Sequence, residues 1–80
     1  MNAGEQSPTS IEARFGQVVR RRREALGLSQ EALADQCDLH RTYISQLERG
    51  LKSPSLRSLQ LIAGAFSVPA STLLREMEQL

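Results

Sequence analysis

Apolar positions along this 80-residue chain recur at the helical period, and no stretch alternates as a half-buried strand would. Ile11, Phe15, Val18, Val19 and Leu26 form the first such series. Ahead of them, Thr9-Ser10-Ile11-Glu12 has the form of a capping box, with Thr9 accepting from the Glu12 backbone and the Glu12 side chain reaching back. Gly27 supplies a left-handed stop, so the first predicted helix covers about residues 10–26. Ser29 is a good N-cap and Glu31 sits where the helix dipole favours an anion, which predicts a second helix ending near Gln36. Cys37-Asp38-Leu39 interrupts it, with Asp38 able to take a left-handed turn. A third helix runs from His40 or Arg41 to Arg49 and is closed by Gly50. Ser55 caps a fourth, whose stripe is Leu56, Leu59, Ile62, Ala63 and Phe66. Ser67-Val68-Pro69 breaks that stripe, and Pro69 fits the first turn of a fifth helix carrying Leu73, Leu74, Met77 and Leu80. Residues 1–9 are poor in apolar side chains and read as a flexible N-terminal tail, leaving 10–80 as one domain. The expected fold is all-α, five short helices around one core.

Composition narrows the function classes. A chain of this length has room for a single small core, which excludes a multi-domain enzyme. With one cysteine and one histidine there is no internal disulfide, no zinc-ligand set and no catalytic dyad, so neither a cofactor, a metal nor an enzyme activity is expected. Cys37 reads as a buried core thiol. Met1 to Ser10 lacks the apolar run of a signal peptide, and nothing approaches the roughly 20 apolar residues of a membrane span. The expected setting is a reducing cytoplasm, with no membrane partner.

The net charge of +1 conceals an uneven distribution. Residues 1–26 sum to +2, residues 27–39 to −3 and residues 40–57 to +3. Two basic blocks therefore flank an acidic helix, a pattern open to either an anionic partner or an ordinary solvated surface. The third helix is more informative. At about 100° per residue, Arg41, Thr42, Ser45, Gln46 and Arg49 share one arc, while Tyr43, Ile44 and Leu47 fall opposite. The outward arc contains no acid. Arg can fork onto guanine and Gln onto adenine, while Thr and Ser reach base edges or phosphates.

The segment Gln30 to Arg49, QEALADQCDLHRTYISQLER, resembles the helix-turn-helix of phage-repressor and Cro-like (Xre) regulators. The resemblance extends from about Val19 through Leu74 and includes GLSQEALA at Gly27–Ala34, YISQLERG at Tyr43–Gly50 and PSLRSLQLIA at Pro54–Ala63. It implies a compact lambda-repressor-like domain in which the second and third helices form the motif. Two positions depart from the family pattern: Asp38 replaces a turn glycine, and His40 replaces a Ser or Thr cap.

The resemblance also implies roles. Arg41, Thr42 and Gln46 would read bases with Ser45 close by, and Gln30 would hold a phosphate at a helix N-terminus. Arg49, Lys52, Ser53 and Ser55 would hold the DNA backbone, which positions without specifying. Arg23 and Glu48 would form a partly buried bridge. His40 reads equally as a DNA contact or an exposed side chain, and Tyr43 as core-edge packing with its hydroxyl near a phosphate. Within the family, HRTYISQLERG is similar to the controller proteins of restriction-modification systems, dimeric regulators of endonuclease expression. The stripe of Leu73, Leu74, Met77 and Leu80, with Val68, is therefore expected to close the protomer core in part and to form a homodimer surface with the remainder.

The resulting expectation is a homodimer on an inverted-repeat double-stranded DNA operator, with the third helix in the major groove and no small-molecule ligand. The alternative is an antitoxin or adaptor of the same fold that acts through a protein partner.

Overall fold

The computed structural model describes residues 10–80. Among these, regular structure is entirely helical: α1 (Ile11–Ala25), α2 (Gln30–Cys37), α3 (Arg41–Glu48), α4 (Leu56–Ala65) and α5 (Ala70–Glu78). The expected tail and Thr9 lie outside the described residues.

The cap of α1 is one residue later than predicted. Ser10 takes the position, and its Oγ accepts from the Ala13 amide at 3.0 Å. With Ala13 at the third helical position, no side chain is placed to reach back to Ser10, so a capping box centred on Ser10 does not form. Glu12 turns elsewhere and accepts from Ser53 Oγ at 2.9 Å, tying the loop after α3 to the start of α1. Its carboxyl is held below the usual range by its own backbone amide and then by Ser53.

The helix-turn-helix itself depends on two left-handed residues. Asp38 closes α2 at φ 57° and ψ 41°, and Leu39 then donates to the Ala34 carbonyl at 2.9 Å. Gly50 follows α3 at φ 74°, and Leu51 donates to the Gln46 carbonyl at 2.9 Å. A side chain at Gly50 would also meet the Ala13 backbone at 2.9 Å, so glycine is required there twice over. Ser67, a left-handed residue that periodicity did not indicate, turns the chain between α4 and α5 at φ 58°.

The core is contributed by every helix: Phe15, Val18 and Val19 from α1, Leu33, Ala34 and Cys37 from α2, Ile44 and Leu47 from α3, Leu59, Ile62 and Ala63 from α4, and Leu73 from α5. Gly16 permits a close approach between helices. A Cβ on Gly16 would lie 2.2 Å from the Leu47 carbonyl oxygen, so α1 crosses the end of α3 backbone against backbone. Burial raises the Cys37 thiol above its ordinary value, which keeps it protonated.

The fifth helix requires a correction. Leu73 has no exposed surface and belongs wholly to the protomer core, so it cannot contribute to a dimer surface. The α4–α5 turn presents Leu73 inward, and Leu74, the next residue round the helix, is left outward. Val68, Met77 and Leu80 are half-buried against the same core.

Candidate nucleic-acid interface

Ile44 and Leu47 are fully buried beneath α3, and that anchoring sets its opposite face. Arg41, Thr42 and Arg49 are exposed, while Ser45 and Gln46 are half-exposed. Tyr43 packs against the core edge and His40 is exposed. His40 provides no capping side-chain bond, as its departure from a Ser or Thr cap leads one to expect. Gln30, Arg41, Thr42 and Ser45 together line a shallow depression of about 230 Å3 between the start of α2 and the start of α3.

Behind this face lies a polar hub. Arg23 on α1 forks onto Glu48 on α3, with Nε to Oε2 at 2.7 Å and Nη2 to Oε1 at 3.0 Å. Its Nη1 donates to the Leu28 carbonyl at 2.6 Å, so one guanidinium fixes both the α1–α2 turn and α3. Gln30 Nε2 donates to Glu48 Oε1 at 3.1 Å and brings in α2. The two charged side chains are 12% and 2% exposed, and the Glu48 hydrogen bond raises the Arg23 guanidinium above its ordinary value despite the cost of burial. A buried ion pair with its donors matched in this way fixes orientation more than it adds stability.

The hub modifies one of the expected phosphate contacts, the Glu12–Ser53 bond a second, and capping a third. One proton of the Gln30 amide is committed to Glu48, leaving only the second for the expected contact. Ser53 donates its hydroxyl proton to Glu12. Ser55 caps α4, accepting from the Ser58 amide and donating to Ser58 Oγ, each at 3.0 Å. Its hydroxyl therefore has no proton for a phosphate, and the expected contact from that group is withdrawn. Lys52 and Arg49 are exposed cations without ion-pair partners among the described residues.

Sequence pattern did not indicate a second, larger basic bay beside the hub. It measures about 440 Å3 and is lined by Gln17, Arg20, Arg21, Glu24, Glu48 and Arg49. Arg20 pairs with Glu24 at 3.1 Å on an exposed surface. The signal available was the spacing of Arg20, Arg21 and Glu24 on one helix, but it required knowledge that the end of α3 lies alongside.

Among the described residues there is no cluster of metal-ligating side chains, and no helix is long and apolar enough to cross a membrane.

Comparison with known proteins agrees with this geometry. A helix-turn-helix family profile matches residues 19–73. Control protein C.BamHI of Bacillus amyloliquefaciens is 47% identical over 66 residues, covering 81% of this chain and 82% of that protein. The crystal structure of the restriction-modification controller protein C.AhdI from Aeromonas hydrophila superposes with a TM-score of 0.75 at 39% identity, over 78% of this chain and 94% of that one. A third, the controller protein C.Esp1396I, was solved as a tetramer with its natural 35 base-pair operator; it superposes at a TM-score of 0.79 and 28% identity, over 90% of this chain and 95% of that one. The chain belongs to the helix-turn-helix family of Xre and Cro-like regulators, and restriction-modification controller proteins are among its relatives.

Proposed function

We propose that this protein is a sequence-specific DNA-binding transcription regulator of the controller type, a homodimer that reads an inverted-repeat operator with α3 in the major groove. It acts by binding and carries out no reaction, in the cytoplasm where its operator is accessible. The observation that carries this reading is the acid-free outward face of α3, held by the Arg23–Glu48–Gln30 hub. Arg41, Thr42, Ser45 and Gln46 read base edges, and the start of α3 is the part that enters the groove. Arg49, Lys52, His40, Tyr43 and the free amide proton of Gln30 hold the phosphates. One such module contacts too few base pairs to act alone, which is why two half-sites and two copies are needed.

Selection from a random double-stranded DNA pool at fixed ionic strength tests the reading. Enrichment of an inverted repeat is the expected result, and a pool that remains random after repeated rounds defeats it. On the selected site, Arg41→Ala weakens binding by about 1–3 kcal/mol and relaxes preference at one base pair of each half-site. Arg49→Ala weakens all sequences equally and lowers the salt slope by about one unit. Quantitative electrophoretic titration across a salt series separates the two.

A further inference from the structure

Arg20 to Arg23 are consecutive on α1, and three of the four have carboxylate partners: Glu24 for Arg20, Glu76 for Arg22 and Glu48 for Arg23. Arg21 is exposed and has none among the described residues. It lines the 440 Å3 bay together with Arg49, the exposed and likewise unpaired C-cap of α3. A lone cation on a convex helix is well served by water. Two cations lining one concavity repel each other and focus a positive potential into it, which an anion relieves.

The rest of the wall favours an anion too. Residues 13, 17, 20, 21 and 24 recur at helical spacing, so one face of α1 forms that side. Both carboxylates of the bay are already engaged: Glu48 accepts from Arg23 and Gln30, and Glu24 is paired with Arg20. Half-buried Gln17 adds an amide donor. The walls are fixed in place, because α1 crosses the end of α3 at Gly16 and Arg23 ties the two helices together.

Position identifies the anion. Arg49 belongs both to the bay and to the acid-free arc of α3, so the bay is continuous with the surface proposed to face the operator. Guanidinium groups fork onto phosphate oxygens, and a bay of this size takes a length of backbone more readily than a single ion. We infer that the bay holds the sugar-phosphate backbone of DNA flanking each half-site, with Arg21 and Arg49 on its phosphates and Gln17 donating beside them. This rests on the DNA-binding regulator reading and extends the bound DNA past the base pairs that α3 reads. Such contacts add affinity without sequence preference. Glu24 limits them, by holding Arg20 and by repelling phosphate.

The test compares two duplexes carrying the selected operator, one cut at the ends of the repeat and one extended on each side by a helical turn, about 10 base pairs. Wild-type protein binds the extended duplex about tenfold more tightly. Arg21→Ala removes most of that advantage and lowers the salt slope on the extended duplex by about one unit per protomer, while the trimmed duplex binds as before. Glu24→Gln frees Arg20 and strengthens binding to the extended duplex alone. Hydroxyl-radical footprints show protection past the repeat that recedes in Arg21→Ala. Circular dichroism melts of both variants match wild type, since both side chains are exposed.

Equal wild-type affinity for the two duplexes overturns the inference. So does an Arg21→Ala variant that weakens both equally, which puts the contact inside the half-site, or one that weakens neither, which leaves the bay to an acidic protein or a free anion. These outcomes leave the regulator reading standing. A wild-type chain that selects no operator from a random pool defeats that reading instead.

Discussion

Two neighbouring arginines on α1 bridge to opposite sides of the molecule, with different results. Arg23 reaches α3 and forms a buried hub in which Glu48 is 2% exposed and accepts from two other helices. Arg22 reaches α5 and forks onto Glu76, with Nε to Oε1 at 3.0 Å, at a junction where the partners are 29% and 36% exposed. The chemistry is the same in both cases, and the surroundings decide its weight. Water screens the Arg22 pair and weakens it, while the Arg23 pair is enclosed and its loss would strand a charge. The α1–α3 junction thus fixes α3 firmly, and the α1–α5 junction holds its helix by apolar packing with an ion pair at the edge.

Breaking the hub has the largest expected effect. Glu48→Ala leaves Arg23 charged and unpaired in the interior, and a loss of about 3–5 kcal/mol is expected in denaturant unfolding. An outcome within a fraction of a kcal/mol of wild type would show that the hub is dispensable and that the contrast between the junctions fails.

Gly16→Ala comes next. Its new methyl meets the Leu47 carbonyl, and about 1–3 kcal/mol is expected as α3 is pushed from α1. Operator affinity measured on the folded fraction should fall further than a simple loss of stability accounts for, because α3 is displaced.

Glu76→Gln gives the smallest change, up to about 1 kcal/mol. Its sign with pH is fixed. Arg22 lowers the Glu76 carboxyl below its ordinary 4.5, chiefly by hydrogen bonding. The pair's contribution is therefore present above pH 4.5 and is lost as pH falls through the lower folded value. Wild-type and variant stabilities should converge in that acid range, and a gap that persists at the lowest pH would rule out ionic pairing as the cause.

The five helices could be read from the sequence because their signals are local: caps at Ser29 and Ser55, stops at Gly27 and Gly50, and apolar residues at helical spacing. What could not be read depends on how helices meet. Nothing local distinguishes Gly16, pressed on a carbonyl, from Gly64, which has open space beside it. Thr9 and Ser10 are equally able to cap, and only the backbone path selects one. Leu73 and Leu74 belong to the same stripe, and the turn at Ser67 decides which is buried. For the candidate site, residue types on the α3 face were legible, but competing internal partners for Gln30, Ser53 and Ser55 were not, since each partner lies on another element or follows from the cap geometry.

Cys37 is the sole cysteine and is 1% exposed in the core beneath α2. Alkylating reagents can reach its sulfur only when the domain opens, so the rate of labelling is a stopwatch for unfolding that needs no added probe. The same shielding protects the thiol from peroxide for as long as the fold stays closed.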